Sequence, residues 1–410
     1  MANTFENTNL VTKIAVKEFR NAMQMLSKVD RQWDSSFKKV GSTIDIRRPV
    51  YFTANSGATF SAEDIQEAVV QLDLDQHKHV DFEITAVDMK LEIDEATTRY
   101  IRPAMIELAQ QVETSIAAEY VNIGNFSGTA GTTPSTFLSV ANAKAVLDQI
   151  GVPDDGETCG FFDPLASVAL ADGLKGVFPE KIASKAIERA AIGAYGGVDM
   201  LYKNNSLAMH TVGINTGTPL VNGASQNVTY AVATASKGWS QSLITDGWTN
   251  STSDILLAGD VFTIAGVNSV NRRTRVSTGA LQTFTVLSDA ASGASTGPAT
   301  LTISPPIITS GSFQTCDAAP ADNAAITVKT GVGSAQHRQN MIFHKNAITV
   351  GMAPLDSPTA GADSAVESFD GISIAAVRQF DIANYKTKFR FDILYGVLTQ
   401  NSEMAIRVTS

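Results

Sequence analysis

The chain has 410 residues, of which 44% are hydrophobic, so it can bury a sizeable core and is long enough for two or three domains. It carries 31 basic and 41 acidic residues, a formal charge of -10, and so lacks the basic footprint with which proteins neutralise phosphates. This composition argues against disorder throughout the chain and against nucleic acid as the primary ligand.

The sequence shows neither an export signal nor a membrane span. Its first ten residues are polar, whereas a secretory signal has a basic start and an apolar stretch. Charges or glycines interrupt every apolar run before it reaches the roughly 20 residues that cross a bilayer. Cys159 and Cys316 stand without a CxxC motif, which predicts two free thiols in a reducing compartment. We therefore expect a soluble protein with no membrane partner.

The first predicted element is an amphipathic helix between Leu10 and Val29, where apolar residues recur at helical spacing. Two interpretations remain open for it. The helix either packs on its own domain or serves as an arm that binds a partner.

Alternating segments follow the helix and predict amphipathic strands. The apolar residues of one parity in the longer segment are Val70, Leu72, Leu74, Val80, Phe82 and Ile84. At about 3.3 Å per residue this segment would reach roughly 45–50 Å, much longer than an ordinary strand, with a partner strand across a tip at Asn55 to Glu67. Because such a hairpin is marginally stable in water, a neighbouring subunit is a natural cover for its apolar face. A larger sheet within one domain is the open alternative.

Helical spacing returns after Glu95 and predicts a helix from Pro103 to Ile123, roughly 30 Å long. A further helix from Ser135 to Ile150 should end at Gly151. An apolar strand is then predicted from Thr158 to Phe162.

The next helix has its own start signal, with Asp163 as the N-cap and Pro164 at the first helical position. Another short helix is predicted from Glu180 to Arg189. Gly193 to Gly197 lacks the lysine of a phosphate-binding loop and is most simply a flexible connection.

From about Gly223 to Asn340 the chain is rich in Thr, Ser, Gly, Ala and Val, with short alternating runs separated by turn residues. This texture favours a small β-barrel or sandwich that interrupts an α/β domain. Beyond it, Tyr385 to Leu398 and Met404 to Val408 predict a closing hairpin.

Particular sequence segments carry a family resemblance. The most specific are LLAGDVFTIAGV at Leu256 to Val267, LQTFTV at Leu281 to Val286 and ATLTISPPI at Ala299 to Ile307. FFDP at Phe161 to Pro164 and the pair Tyr395-Gly396 add weaker matches. With the order of the predicted parts, these phrases resemble the P-twenty-two-type coat proteins of tailed bacteriophages, which carry the Hong Kong 97 capsid fold with an inserted β-barrel.

The resemblance implies an α+β chain of that fold. Its parts would be an N-terminal arm (1–40), an extended β-hairpin loop (41–86), a peripheral domain with a spine helix (87–133), an axial domain (134–222), an inserted β-barrel (223–340), an axial return (341–384) and peripheral C-terminal strands (385–410).

The implied function is that of a major capsid protein, which self-assembles through pentamers and hexamers into an icosahedral shell around the double-stranded DNA of a tailed phage. Scaffolding and portal proteins would be its partners during assembly in the host cytoplasm, and the virion capsid its final place. The enclosed DNA would not be bound specifically. No catalytic residue, cofactor or metal is expected, and no covalent cross-link between subunits.

Candidate intersubunit contacts follow from these expectations. They are Val70, Leu72, Leu74, Val80 and Phe82 in the hairpin and Lys237, Asp246, Arg272, Arg273 and Arg275 in the inserted block, which comprises residues 223–340. The arginine cluster could meet a neighbour's carboxylates or stay solvated. By resemblance, the segment from Lys237 to Asp254 overlaps a loop that crosses between capsomers, and an ordinary barrel loop is the alternative.

A few other residues of the sequence could carry chemistry. His77 and His79 share a strand face with neighbouring aspartates, but a solvated polar face explains them without a metal. Two further functional hypotheses stay open. A receptor- or glycan-binding virion protein would expose an aromatic patch, for which Trp239 and Trp248 are the candidates, and an enzyme would gather titratable residues in one pocket.

Overall fold

The computed structural model describes residues 8–33, 43–48, 50–52, 57–58, 65, 67–85, 97–173, 193–235, 237–355, 363–369 and 371–409. The predicted hairpin tip at Asn55 to Glu67 lies mostly outside these residues, and the predicted helix at Glu180 to Arg189 lies wholly outside them.

The described chain mixes helices and strands, which confirms the α+β class. The α-helices are α1 (Thr8–Ala22), α2 (Arg102–Ala118), α3 (Phe137–Ile150), α4 (Pro164–Gly173) and α5 (Tyr230–Thr234). Short 3-10 or π turns lie at Leu26–Lys28, Thr97–Ile101, Glu119–Asn122, Lys345–Ala347 and Ser402–Met404. The strands are β1 (Thr43–Arg47), β2 (Val69–Asp73), β3 (Gln76–Thr85), β4 (Asn125–Ser127), β5 (Thr158–Phe162), β6 (Gly193–Tyr195), β7 (Val198–Lys203), β8 (Met209–Thr211), β9 (Gly217–Val221), β10 (Gln241–Trp248), β11 (Val261–Val270), β12 (Ser277–Val286), β13 (Ala299–Ser304), β14 (Ile326–Val328), β15 (Gln336–Arg338), β16 (Asn340–His344), β17 (Ile348–Ala353), β18 (Asp363–Phe369), β19 (Ile372–Asp381), β20 (Lys386–Thr399) and β21 (Ala405–Val408). No helix in this described part is both long and apolar enough to cross a bilayer.

Two compact units divide the chain. Unit 1 comprises residues 1–45, 71–117 and 349–398, and unit 2 comprises residues 46–70, 118–348 and 399–410. Unit 1 is built on a sheet in the order β17-β20-β19-β18, with β3 also paired to β20. Helix α1 packs on β18 and β19 through its apolar stripe, which includes the fully buried Ala15 and Phe19. The first helix therefore packs on its own unit, and a partner-binding role for its outer face stays a prediction.

Unit 2 contains a six-stranded β-barrel. Its strands follow the order β14-β11-β12-β13-β10-β9. A bridge between Leu220 and Ala325, and the Val221 N–H that donates to the Ala324 carbonyl at 3.0 Å, join the two ends of the sheet. The interior is an apolar core that includes Leu243, Leu256, Phe262, Ile264, Phe284, Leu301 and Ile303. The block that was rich in short alternating runs thus forms a closed barrel rather than a sandwich.

A second six-stranded sheet in unit 2 follows the order β4-β21-β16-β5-β7-β6. The pairs β4/β21 and β5/β7 are parallel, whereas β16 is antiparallel to both of its neighbours. Helices α3 and α4 share an apolar core with this sheet, and its members include Leu147, Phe162, Leu170, Ile342 and Ile406.

Local signals predicted these helices well. Helix α3 begins after Thr136, whose side-chain oxygen accepts the Ser139 backbone N–H at 3.3 Å. It ends at Gly151, which has a φ of 99°. Asp163 accepts the Leu165 N–H at 3.2 Å, so it caps α4 one residue before Pro164 as predicted. Strand β5 has the predicted bounds. Caps act within one turn, which is why the sequence alone reveals them.

Two predictions about strand pairing are wrong. The segment from Val70 to Ile84 is not one overlong strand, since β2 pairs with β1 while β3 separates from it and pairs with β20. The closing hairpin is not formed, because β21 pairs with β16 and β4 whereas β20 pairs with β19 and β3. The segment Gly193 to Gly197, expected to be a flexible connection, is part of the tight β6–β7 hairpin.

Candidate assembly site

The predicted hairpin contacts differ in how much surface they present. The exposed fraction is 7% for Val70, 0% for Leu72 and 5% for Leu74, so the subunit itself covers these three side chains. Val80 and Phe82 are half-buried. A contact role for all five stays a prediction, and the last two retain surface that a neighbouring subunit could cover.

Strand β3 is held by β20 over ten residue pairs. On one face, the Phe82 ring stacks on Phe389 at 5.4 Å between centroids and on Tyr100 at 6.1 Å. Alternation places Glu83 on the opposite face, where its carboxylate pairs with the ammonium group of Lys386. The alternating pattern that suggested a free hairpin is thus used inside a larger sheet.

The Tyr395-Gly396 pair lies where β20 approaches the end of β2. A methyl carbon on Gly396 would lie 2.0 Å from the Asp73 carbonyl oxygen, so a side chain cannot fit there. The Tyr395 hydroxyl lies 2.8 Å from the Ser115 hydroxyl of α2, within hydrogen-bond distance. The two residues thereby fix the packing of β20 against β2 and α2.

The arginine cluster lies in the loop between β11 and β12, beside the C-terminus of α3. The Arg272 backbone N–H donates to the Ile150 carbonyl at 3.0 Å, and the Asn271 side-chain amide donates to the Gln149 carbonyl at 2.7 Å. These bonds satisfy carbonyls that the helix end leaves open. Arg272 is buried, Arg273 is exposed, and Arg275 is half-buried with a φ of 57°. The cluster is therefore not one solvated patch.

The remaining predicted contacts lie nearby in sequence. Lys237 is exposed and has a φ of 52°, whereas Asp246 is half-buried on β10 opposite Leu220. Trp239 and Trp248 are both buried, with exposed fractions of 8% and 2%. These two tryptophans do not form the exposed aromatic patch that the receptor- or glycan-binding hypothesis requires.

Trp239 instead belongs to a buried group in unit 2 that we call the loop-root cluster: Arg48, Trp239, Arg272, Asn401 and Glu403. The Arg48 guanidinium carbon lies 4.7 Å from the Trp239 ring centroid, and its Nε–H donates to Asn401 Oδ1 at 3.1 Å. Glu403 Oε1 accepts two bonds, from Trp239 Nε1–H at 3.0 Å and from Arg272 Nη2–H at 2.9 Å.

The charges of the loop-root cluster depend on one another. Burial lowers the pKa of Arg48, although the nearby Glu403 charge opposes this effect. Burial by itself would raise the pKa of Glu403, but Arg272, Arg48 and the Trp239 N–H together hold it below its usual value. Glu403 is thus the carboxylate that compensates two guanidinium groups, and its removal would leave both uncompensated away from water.

A second buried group, the Asp260 cluster, comprises Tyr120, His210, Asp260, Thr330, His337 and Arg407. The Asp260 carboxylate accepts from His210 Nε2 at 2.9 Å, from the Thr330 hydroxyl at 2.7 Å and from the backbone N–H groups of Gly213 and Leu257 at 2.9 and 2.8 Å. Burial would raise the pKa of Asp260, but these donors hold it below its usual value.

The rest of the Asp260 cluster surrounds the His210 ring. The Tyr120 hydroxyl lies 3.2 Å from His210 Nδ1, and the His337 ring packs edge-on to His210 at 5.8 Å. Burial, with His210 and Arg407 adding to it, lowers the pKa of His337 to about 4. Burial also lowers the pKa of Arg407 to about 10, and its guanidinium donates to the Gly259 carbonyl at 2.7 Å.

Sequence reasoning missed most members of both clusters. His210 and His337 are neighbours only because β8 pairs with β15. Asp260 lies inside the LLAGDVFTIAGV segment, whose residues carry the family resemblance but do not by themselves indicate a buried carboxylate.

The histidines of the described chain do not make a convincing metal site. His77 Nε2 lies 2.8 Å from Asp392 Oδ1, and the His79 ring pairs with Asp81 at 3.4 Å, as expected of a polar strand face. Among the described residues, Asp155, Glu157 and His344 bring three ligand atoms within 4.8 Å of one another.

The protonation of His344 argues against a metal at that group. His344 Nδ1 accepts the Asn346 N–H at 3.2 Å, so in the neutral ring the proton lies on Nε2, which faces Asp155 at 3.0 Å. A metal would need that nitrogen without its proton.

Comparisons with known proteins identify the family. A family model described as P22 coat protein, gene protein 5, matches residues 1–409. The major capsid protein of Acyrthosiphon pisum secondary endosymbiont phage 1 is 26% identical over 424 residues, with 98% of each chain covered. Among solved structures, one from Mycobacterium phage Che8 is similar at 13% identity, covering 94% of this chain and 90% of that one, with a TM-score of 0.46. The CUS-3 coat protein I-domain matches at 32% identity over 28% of this chain and 98% of its own, with a TM-score of 0.20.

The family model spans nearly the whole chain, and the curated relative aligns with it from end to end. The chain therefore belongs to the P22 coat protein family, and its function is that of a phage major capsid protein.

Proposed function

We propose that this capsid protein assembles with copies of itself, through pentamers and hexamers, into the icosahedral shell that encloses the double-stranded DNA of a tailed phage. The observation that carries the proposal is the family match over residues 1–409. Scaffolding and portal proteins are its proposed partners, and the host cytoplasm is the proposed place of assembly. Its activity is assembly, without catalysis, cofactor or metal.

Exposed apolar side chains support an assembling surface. The most exposed of them in the described chain include Phe52, Ile65, Leu138, Leu165, Val276, Val332 and Ile382. Scattered apolar side chains are normal on monomers. Phe52, however, lies just before the predicted tip of the extended loop and Ile65 lies within it, where the proposal requires contact with a neighbour.

The net charge agrees with a container. Each subunit has a formal charge of -10, so a shell built from it would repel DNA rather than hold it, and the genome would enter and leave without a large binding cost. The acidic charge is consistent with the proposed function but is not evidence for it.

Electron microscopy of the purified protein tests the proposal. Under assembly-promoting conditions we expect closed shells of uniform diameter. After denaturation, mass analysis of such shells should give only the 43.5 kDa subunit, since no covalent cross-link is proposed. Discrete small oligomers under every condition would contradict assembly, and a ladder of higher masses would contradict the absence of cross-links.

Deletion of residues 55–67 tests the extended loop. The deleted chain should fold but assemble poorly, and normal shells from it would remove the proposed role of the loop. Lys237→Ala and Arg273→Ala test the inserted block in the same assay. Both side chains are exposed, so the subunit should keep its stability within about 0.5 kcal/mol while assembly slows.

A further inference from the structure

The outgoing arm of the extended loop is held within unit 2 at one residue, Arg48, in two ways. The Arg48 backbone N–H donates to the Ala68 carbonyl at 2.8 Å, which joins the outgoing and returning arms of the loop. The Arg48 side chain, 6% exposed, lies against Trp239 and bonds to Asn401. Tyr51, three residues on, packs edge-on against Phe313 at 5.5 Å.

The partners of this segment come from distant parts of the chain. Trp239 and Phe313 belong to the inserted block, and their ring centroids lie 5.8 Å apart. Tyr230 stacks on Phe313 at 4.7 Å and extends the same aromatic group. Glu403, between β20 and β21, fixes the Trp239 ring through its indole N–H. Hairpin pairing alone would hold the loop root only at its own strands, whereas this group holds it to the inserted block as well.

We propose that Trp239 and Glu403 are positioning residues that fix the root of the extended loop, and that the inserted block thereby sets the direction in which the loop leaves the subunit towards a second copy of the chain. The second part rests on the proposed function, because it requires the loop to reach a neighbour. The first part concerns the unassembled subunit alone.

The geometry explains why these residue types are needed. A guanidinium close to an indole ring gains a cation–π contact, and a lysine at Arg48 would keep the charge but lose the Nε–H that bonds to Asn401. The indole ring in turn is held by its own N–H bond to a carboxylate. The orientation of the Arg48 side chain therefore depends on Glu403, because Glu403 holds the Trp239 ring against which the Arg48 guanidinium lies.

Hydrogen exchange of the whole unassembled chain tests the first part, read at the peptide that contains the Arg48 amide. Trp239→Ala should speed exchange there at least tenfold, and Glu403→Gln, which keeps the shape but removes the charge, severalfold. Trp248→Phe is the matched control. Trp248 is also a buried tryptophan of the barrel, with its Nε1–H bonded to Thr245 Oγ1 at 2.9 Å, and its change should leave the Arg48 peptide unaltered.

Unchanged exchange at Arg48 in both Trp239→Ala and Glu403→Gln, with the barrel strands still protected, would overturn the proposal. If Trp239→Ala does not fold, Arg48→Lys takes its place, since it keeps the charge and should still speed exchange at the loop root.

Assembly of the same variants tests the second part. Trp239→Ala and Glu403→Gln should give slower assembly and shells of irregular diameter, whereas Trp239→Phe, which keeps a ring beside Arg48 but loses the bond to Glu403, should recover only part of the wild-type rate. Faster exchange with shells of normal rate and size would show that the cluster holds the root without directing assembly. Failure of the unmodified chain to form any shell would instead contradict the proposed function.

Discussion

Charged pairs in the two compact units can be compared at opposite extremes of burial. In unit 1, Lys386 pairs with Glu83 and Lys388 pairs with Asp381 at positions that remain partly exposed. In unit 2, the pair formed by His210 and Asp260 has exposed fractions of 1% and 0%, and the loop-root cluster is almost as well buried. Exposed pairs contribute under about 1 kcal/mol each. Buried charges stabilise only as complete sets, because each partner left alone is costly. The buried charged groups of unit 2 should therefore respond far more strongly to the loss of a partner than the exposed pairs of unit 1.

Asp260→Ala should give the largest effect. It removes the acceptor of four hydrogen bonds in a buried site and should lower the free energy of unfolding by roughly 3–5 kcal/mol, measured by urea denaturation of the unassembled chain. Asp289→Ala is the control, since this exposed carboxylate in the neighbouring loop accepts one backbone N–H at 2.8 Å and should cost about 1 kcal/mol or less. Equal effects from the two changes would contradict the contrast between buried and exposed carboxylates.

Gly396→Ala tests unit 1 by shape rather than charge. The added methyl would overlap the Asp73 carbonyl oxygen, so β20 or β2 must shift, and we expect a loss of about 3 kcal/mol in the free energy of unfolding. Gly266→Ala adds a methyl where nothing lies within 4 Å, at a φ of 79°, and should cost only about 1 kcal/mol from backbone strain. A Gly396→Ala chain as stable as the Gly266→Ala chain would show that β2 and β20 do not approach as described.

His337 gives unit 2 a dependence on pH. Its pKa in the folded chain is about 4, below the ordinary 6.5, so the folded ring stays neutral while the unfolded chain takes up a proton. The free energy of unfolding should therefore fall by up to about 3 kcal/mol as the pH drops from 6.5 towards 4. Above pH 6.5 the ring is neutral in both states, so this loss is absent. The groups that face the ring are His210, Arg407 and Asp260.

Urea denaturation at several pH values checks this dependence. The loss between pH 6.5 and 4 should shrink in His337→Phe and persist in His79→Gln, whose side chain is about half exposed. A pH profile that is identical in wild type and His337→Phe would contradict a buried neutral ring.

Lys386→Met should give the smallest effect. The pair with Glu83 is exposed enough for water and salt to screen it, so the free energy of unfolding should change by less than about 0.5 kcal/mol. A loss above 2 kcal/mol, persisting in 1 M salt, would place unit 1 in the same class as unit 2.

Local structure could be predicted from the sequence because its causes are local. The left-handed Gly151 and the Asp163-Pro164 start each act within a few residues of the helix end they define. The start of α3 was predicted at Ser135, two residues before its first helical residue, and its N-cap at Thr136 was not predicted. The alternating runs of the inserted block likewise predicted strands, since alternation records which side chains face a core.

Pairing and buried polar contacts could not be read in this way. Strand β3 has the alternating pattern of a hairpin arm, yet its partner β20 lies about 300 residues away in the chain. No feature of either sequence indicates that the two strands pair. The loop-root and Asp260 clusters join charged residues that lie far apart in the sequence, such as Arg272 with Glu403 and His210 with Asp260. Both cases require knowledge of which segments meet, and a single sequence records only which faces are apolar.

The central claim is that this chain performs its function by forming a closed shell with its own copies. Cryo-electron microscopy of particles assembled from the purified chain tests it most directly, because a reconstruction reports both symmetry and neighbours. We predict icosahedral particles in which this one chain occupies five-fold and six-fold capsomers, with the extended loop of each subunit in contact with an adjacent copy. Particles without icosahedral order, or a loop that contacts only its own subunit, would contradict the account.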